Sequence, residues 1–249
     1  MTMKLLTFVS AIIFLSANFV LSQETSKTIR DIDGNEYSTI TIGNQIWMGE
    51  NLKTIRYNDG TPIEYPDTAN ILWHNNIDGA YAWYFNDISF KETYGALYNF
   101  YAVNNKRNIC PAGWRVPAAK DWQEMIRATG GQEIAGGKLK ETGTENWTGI
   151  YERKHIEGCT KERKNCCAPL NPTPTNIGAC NTSDFSAVPS GDRGSYGGFT
   201  GLNMYAAWWS ATENDINRAI IYSVGYDRIN IQRSFSDKKF GFTVRCVKD

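Results

Sequence analysis

Apolar and polar residues alternate near the start of the chain, in the pattern of a β-hairpin. The alternation covers residues 37–48 (YSTITIGNQIWM) and breaks at Gly43-Asn44, a dipeptide suited to a tight turn. The preceding segment, residues 31–37 (DIDGNEY), surrounds a glycine with acidic residues. That glycine stands fourth, whereas a calcium loop has it sixth, so we predict a tight turn there rather than a calcium site.

Two stretches carry helical periodicity. In residues 92–105 (ETYGALYNFYAVNN), Leu97, Phe100 and Tyr101 predict a short helix with one apolar face. A second helix is predicted over residues 118–129 (AAKDWQEMIRAT), where a pair of glycines ends the run.

The second predicted helix has an apolar stripe but an incomplete N-terminal cap. Trp122, Met125 and Ile126 stand at positions i, i+3 and i+4. Ala118 occupies the cap position, and an alanine there costs about 1 kcal/mol relative to serine or threonine. We therefore expect this helix to depend on tertiary packing.

Turn-forming residues dominate residues 54–92 and 136–201 and predict irregular structure in both. Four aromatic residues are expected to pin the first segment: Trp73, Tyr81, Trp83 and Tyr84. The length of the second segment indicates a loop-built face on a rigid scaffold.

The C-terminal part of the chain is predicted to be β structure. One strand is expected at WWSATE (208–213) and a last one at KFGFTVRCV (239–247). Between them, RAIIYSVGY (218–226) and RINIQRSF (228–235) flank a turn near Tyr226-Asp227.

The first residues resemble a signal peptide that targets the chain for export. Lys4 precedes an apolar run of about 11 residues, and small or apolar residues stand before a possible cleavage site after Ser22. The run is too short for a spanning helix, and no later segment predicts a membrane span. We therefore assign residues 1–22 to the signal peptide and expect a periplasmic, cell-surface or extracellular protein.

Composition excludes some functions and leaves others open. The formal net charge is zero, which gives no general attraction to nucleic acid. The 8 Trp, 13 Tyr and 11 Phe are expected to lie mostly in the core, although exported chains of this kind often expose aromatic residues for binding.

No motif for an enzyme stands out. A Ser-His-Asp hydrolase needs a histidine, and neither His74 nor His155 lies near a nucleophile elbow. Paired carboxylates would make a glycosidase, but no local motif selects two of the 26 acidic residues. The question of an enzyme therefore stays open, and we predict no cofactor.

Six cysteines in an exported chain indicate disulfides rather than metal ligands. None of their spacings is the C-x2-4-C of a zinc site. The six positions are Cys110, Cys159, Cys166, Cys167, Cys180 and Cys246.

The chain resembles a known family, the Fibrobacter succinogenes major paralogous domain of exported bacterial proteins. The match covers residues 30–249, nearly the whole mature chain. The motifs that carry it, in order, are IGNQIWMGENLK (42–53), YNDGTPI (57–63), YGALYNFYAVN (94–104), CPAGWRVP (110–117), GGKLKETGTENW (136–147), FSAVPSGDRG (185–194), WWSATE (208–213) and KFGFTVRCVKD (239–249).

That family in turn resembles the formylglycine-generating enzyme / C-type-lectin-like superfamily, through Arg115-Val116-Pro117 before Trp122 and a closing GFTVR (241–245). The implied fold is α+β, with two helices against a twisted antiparallel sheet and long loops. Two departures matter. Residues 181–245 lack the redox cysteine pair of the enzymes, and no Glu-Pro-Asn calcium motif of the lectins is present. Calcium is therefore not supported by a motif.

The resemblance also bears on the cysteines. The segment at about 150–180, with four of them, is expected to be an insertion into the family fold. Cys159–Cys166 with Cys167–Cys180, or Cys159–Cys167 with Cys166–Cys180, remain alternatives, since bridging the vicinal pair would strain it. In the lectin-like fold a bridge commonly joins the start of the second helix to the closing strands, which implies Cys110–Cys246.

These observations favour an exported, non-enzymatic binding or adhesion module that contacts a glycan or a surface protein. The loop-built face is predicted between about 145 and 235. Candidate contact residues, chosen because they flank turns, are Tyr196, Tyr205, Asn214, Tyr226 and Asp227. A glycan- or peptidoglycan-active enzyme and a structural component of the envelope are the alternatives.

Overall fold

The computed structural model describes residues 28–147 and 176–249. The predicted signal peptide and most of the predicted insertion, with Cys159, Cys166 and Cys167, lie outside these residues. Cys180 is buried and disulfide-bonded.

The fold is α+β, as expected, and its sheets are antiparallel. Five strands make the largest sheet, in the order β1 (Thr28–Arg30), β2 (Glu36–Ile42), β3 (Gln45–Met48), β12 (Val247–Lys248) and β6 (Trp114–Arg115). The predicted hairpin is confirmed: β2 and β3 pair around the turn at Gly43-Asn44. The turn at 31–34 is also present, because the Asp31 carboxylate accepts hydrogen bonds from the Asp33 and Asn35 amides.

A second sheet contains the C-terminal meander that the sequence predicted. It consists of β9 (Tyr205–Glu213), β10 (Arg218–Gly225) and β11 (Gln232–Asp237), with β10 in the centre. Trp208 and Trp209 are adjacent on β9 and point to opposite faces, since side chains alternate along a strand. Trp208 therefore enters one apolar core with Trp47 and Trp122, and Trp209 enters the other.

Two short ribbons complete the β structure. β4 (Tyr81–Ala82) pairs with β5 (Leu97–Tyr98), and β7 (Ser190–Arg193) pairs with β8 (Phe199–Leu202). The second ribbon corrects the prediction of irregular structure throughout residues 136–201.

The predicted helix over 92–105 is wrong as a single element. The structure has α2 (Lys91–Tyr94), then β5, then α3 (Phe100–Val103). Gly95 interrupts the helix: its φ is +74°, and a Cβ there would lie 2.6 Å from the Asn51 side chain. The irregular segment before it contains a further helix, α1 (Asn70–Asn75), and 3-10 turns at Tyr84–Asn86 and Ile88–Phe90. Its four predicted aromatic anchors are all buried.

The second predicted helix is confirmed as α4 (Ala119–Ala128). Ala118 provides no side-chain cap, and the Asp121 carboxylate instead accepts a hydrogen bond of 2.7 Å from the Ala118 amide. Arg115 binds the same carboxylate through both terminal nitrogens, at 2.6 and 3.0 Å. α4 is followed closely by α5 (Gln132–Leu139), whose second half lies in the segment 136–201 that was predicted to be irregular.

The predicted last strand is largely a single extended segment that pairs with many partners. Before β12, Gly241 exchanges hydrogen bonds with Arg193, Phe242 with Tyr98, and Thr243 with the β9 backbone. The Val244 and Cys246 carbonyls then accept from Leu52 and Met48. We call residues 240–248 the closing segment.

The bridge between Cys110 and Cys246 is present, with a Cα–Cα distance of 5.9 Å. Both cysteines are fully buried in the core that contains Trp209 and Phe242. The bridge ties the start of the β6–α4 region to the closing segment.

Replacing both bridged cysteines by alanine (Cys110→Ala with Cys246→Ala) should lower the free energy of unfolding by about 5 kcal/mol. The chain-entropy estimate for a sequence separation of 136 residues gives this size. Chemical denaturation of the two oxidised proteins would measure the difference. A change below about 1 kcal/mol would show that the bridge does not restrict the unfolded chain in this way.

The carboxylate at the start of α4 should make stability depend on pH. Burial raises the pKa of Asp121, but the Arg115 guanidinium and the Ala118 amide outweigh this and hold it below its usual range. Because the folded pKa is lowered, the stabilisation is present above about pH 4 and is lost as the pH falls through the folded pKa. Asp121→Asn should cost about 1 kcal/mol at pH 7 and almost nothing near pH 2. Glu124→Gln on the same helix is the control, and denaturation at both pH values measures the effect.

Candidate functional site

A recess of about 430 Å³ opens where the start of β9 meets the β10–β11 turn. Its wall combines two tyrosine rings with polar side chains: Tyr205, Tyr226, Asp192, Ser223, Asp227 and Arg228. Met204, Val224 and Phe242 supply apolar surface between them. We call it the Tyr205 cleft.

The two carboxyl groups of the Tyr205 cleft have opposite environments. Burial raises the pKa of Asp192, although the Tyr205 and Thr200 hydroxyls that donate to it oppose the rise. The Asp227 carboxylate accepts a hydrogen bond of 2.7 Å from Arg228, which holds its pKa below the usual range. The Asp192 carboxyl therefore favours its protonated form more than the Asp227 carboxyl does.

A buried ammonium fixes the rim of the cleft. Lys140 follows α5, is fully buried, and donates from Nζ to the carbonyls of Ile177, Gly225 and Arg228 at 2.8, 2.9 and 2.8 Å. These bonds hold the two ends of the segment that carries Tyr226 and Asp227. Burial lowers the pKa of Lys140 to about 7, whereas three carbonyl acceptors match the three protons of the charged form.

Next to the cleft, aromatic side chains form a partly exposed surface, which we call the aromatic shelf. Its rings are Tyr84, Phe85, Phe90, Tyr94 and Phe199, in contact through centroid distances of 4.6 to 6.3 Å. Phe85 is 62% exposed, and the neighbouring Ile88 is 67% exposed. An exposed aromatic ring beside an exposed isoleucine, backed by further aromatic side chains, is the kind of apolar patch found at interaction sites.

Phe85 is held outward by an unusual backbone. Phe85 and Asn86 have backbone φ angles of +53° and +59°. These lie in the left-handed region, which residues other than glycine rarely adopt. Each such residue costs on the order of 1–3 kcal/mol, and such residues cluster at functional sites. Arg193 supports the turn from below: its guanidinium donates to the Asn86 side chain at 3.3 Å and to the Asp67 carbonyl at 2.9 Å.

Strand β8 joins the shelf to the cleft. Phe199, at its start, packs on Tyr84 and Phe85. Gly201 faces the Tyr205 ring so closely that a Cβ would lie 2.1 Å from a ring carbon, and its φ is +78°. The aromatic shelf and the Tyr205 cleft are therefore linked through β8.

The structure brings together three of the five residues predicted as contacts. Tyr205, Tyr226 and Asp227 line one cleft. Tyr196 lies on the turn between β7 and β8, 77% exposed and stacked on His74 at 4.5 Å. Asn214 lies beyond the far end of β9, where its side chain bonds Asp215. Whether any of the five contacts a ligand stays a prediction.

Sequence patterns did not single out the other residues of this face. Asp192 belongs to the PSGDRG motif, which gave a turn signal only, and Lys140 lies in a glycine-rich stretch. The left-handed backbone at Phe85 has no glycine or turn dipeptide to reveal it. The one sequence signal for a buried cation such as Lys140 is a lysine or arginine inside an apolar, glycine-rich motif.

Within the described ranges no group of three or more His, Cys, Asp or Glu side chains is arranged to hold a metal ion. In the same ranges no helix has the length and apolar character needed to cross a membrane.

Comparison with known proteins identifies the family. The profile of the Fibrobacter succinogenes major domain matches residues 40–248, and the chain belongs to that family. Neither the curated proteins nor the solved structures contain a match to this chain.

The Lys140 ammonium should be needed for the order of the cleft rim. Lys140→Met keeps the volume but leaves three buried carbonyls without a donor, so we expect a loss of about 3 kcal/mol in unfolding free energy. Exchange of the amide hydrogens at 225–229 should accelerate more than exchange in β2–β3.

Lys138→Met, near the end of α5, is the matched control, because Lys138 forms no ion pair within the described residues. Equal destabilisation by the two variants would contradict the role given to Lys140.

Proposed function

We propose that the protein is an exported binding or adhesion module that holds a glycan on the face formed by the Tyr205 cleft and the aromatic shelf. The observation that carries the proposal is the cleft itself, in which two tyrosine rings stand among acidic and basic side chains. A sugar presents apolar C–H faces beside hydroxyl groups, and this mixed lining supplies partners for both.

The backbone around the cleft supports binding without large rearrangement. Lys140 fixes the rim, and the Tyr205 hydroxyl bonds Asp192 below it. A pre-organised site loses less entropy when a ligand binds. The strained turn at Phe85 supports the same conclusion for the shelf, since an exposed ring held against a backbone cost suggests a contact role.

We also propose that the protein is exported and that its fold is related to the C-type-lectin-like superfamily. A disulfide buried in the core favours an oxidising compartment and therefore export. The bridge between the start of the α4 region and the closing segment is the arrangement implied by the C-type-lectin-like relationship, which supports that relationship as a proposal.

Loss of the ring at the cleft rim should weaken glycan binding. Tyr226→Ala is expected to lower the affinity for the best ligand of a glycan array by about ten-fold or more, because aromatic anchors contribute most of the contact surface. Isothermal titration with that glycan measures it. Phe235→Ala, on the exposed side of β11, is the control. Binding to no surface glycan, or equal loss in both variants, would contradict the proposal.

The same assay addresses the second candidate, a glycan-active enzyme. It is favoured by one observation: the cleft contains one carboxyl of raised pKa and one of lowered pKa, as an acid and a base would require. An enzyme would release shortened glycan, and Asp192→Asn would abolish the release while binding persisted. A stable complex with unchanged glycan favours the binding module.

A further inference from the structure

A second recess, of about 670 Å³, lies at the other end of β9. It is bounded by α3, the segment after it, and the side chains of Glu213 and Lys238. The eight residue steps from Tyr205 to Glu213 along β9 correspond to roughly 26 Å, so this recess is separate from the Tyr205 cleft. We call it the Arg107 recess.

Arg107 is pre-organised in this recess. Its guanidinium carbon lies 4.1 Å from the centre of the Tyr57 ring, and its Nε donates to the Asn105 side chain at 3.1 Å. The Arg107 amide binds the same Asn105 oxygen at 3.1 Å. Within residues 28–147 and 176–249 Arg107 forms no ion pair, so its terminal fork is free of a carboxylate partner.

Among the residues that line the recess, positive charges exceed negative charges by one. Lys106, Arg107 and Lys238 are its cations, and Asp78 and Glu213 are its carboxylates. The Asp59 carboxylate, which is not part of the lining, also interacts electrostatically with Arg107. The buried Lys238 ammonium lies 3.1 Å from Glu213, whose oxygen also accepts from Asn104 at 3.2 Å. That pair is mutually neutralised, so Lys106, Arg107 and Asp78 are the remaining charges of the lining.

We propose that the Arg107 recess binds a small organic monocarboxylate, with sugar acids as the class that suits its wall. A planar guanidinium fork matches a carboxylate in two parallel hydrogen bonds. A single excess charge matches a monoanion, and Asp78 disfavours a dianion such as a phosphate monoester. Tyr101, Phe100 and Ile77 provide the apolar wall for a carbon skeleton. The inference does not depend on the function proposed for the Tyr205 cleft.

The test titrates the purified protein with D-galacturonate, D-galactose and D-galactose 6-phosphate, followed by NMR shifts of the amides at 104–107. We expect saturable binding of galacturonate, weaker binding of the phosphate and no binding of galactose. Arg107→Gln should reduce the galacturonate affinity about ten-fold or more, and Arg107→Lys should reduce it by a smaller factor. An oligogalacturonate in a further arm separates a polymeric source of the carboxylate from the free acid.

Arg127→Gln is the matched control, since Arg127 is exposed on α4 and does not line the recess. Tyr226→Ala should leave galacturonate binding unchanged, which separates this site from the cleft. Melting temperatures of all variants show whether Arg107→Gln still folds. If Arg107→Gln does not fold, the affinity of Arg107→Lys for galacturonate still tests the proposal. Absence of saturable binding, equal affinity for galactose, or equal loss in Arg127→Gln would overturn the proposal.

Discussion

The closing segment, residues 240–248, is the element on which the rest of the structure depends. It hydrogen-bonds in turn to β7, β5, β9, the segment after β3, and β3 itself. These partners are far apart in sequence, and several are too short to be stable as isolated ribbons. The closing segment therefore does for this fold what a long central strand does in a regular sheet.

Buried cations stabilise the loops by donating hydrogen bonds to their backbone carbonyls. Lys140 donates to three backbone carbonyls, Arg193 to those of Asp67 and Gly197, and Arg245 to those of Phe185 and Ser186. Irregular segments cannot satisfy their carbonyls within a ladder, and unsatisfied buried carbonyls are costly. Burial lowers the pKa of these three side chains, to about 7, 10 and 9 respectively. The cost of burying the charge is thus offset by hydrogen bonds to these loop carbonyls.

Local patterns predicted the elements that depend on local interactions. The hairpin of β2 and β3 follows from alternation and a turn dipeptide, and α4 from a helical stripe. α5 was missed because Gly136 and Gly137 are poor helix formers. A Cβ at Gly136 would lie 2.4 Å from the Asn230 carbonyl oxygen, so distant packing selects glycine there. The closing segment was predicted as one regular strand because its partners are not visible in sequence.

The residues of the candidate site were likewise predicted only in part from local patterns. Turn signals located Tyr205, Tyr226 and Asp227, since a loop-built cleft is made where strands end. They did not reveal Asp192 or Phe85, because burial of a carboxyl and a left-handed φ both arise from tertiary packing. Position in a turn is therefore informative about exposure, but not about which exposed residues converge.

Strand β9 relates the two recesses to each other. Its start carries Tyr205 in the cleft, its end carries Glu213 in the Arg107 recess, and its middle is fixed on both faces by Trp208 and Trp209. A strand buried on both faces between two cores is a rigid support. The loops at its two ends are consequently free to differ in sequence without moving one recess relative to the other. The separation between the two recesses is therefore set by the length of β9.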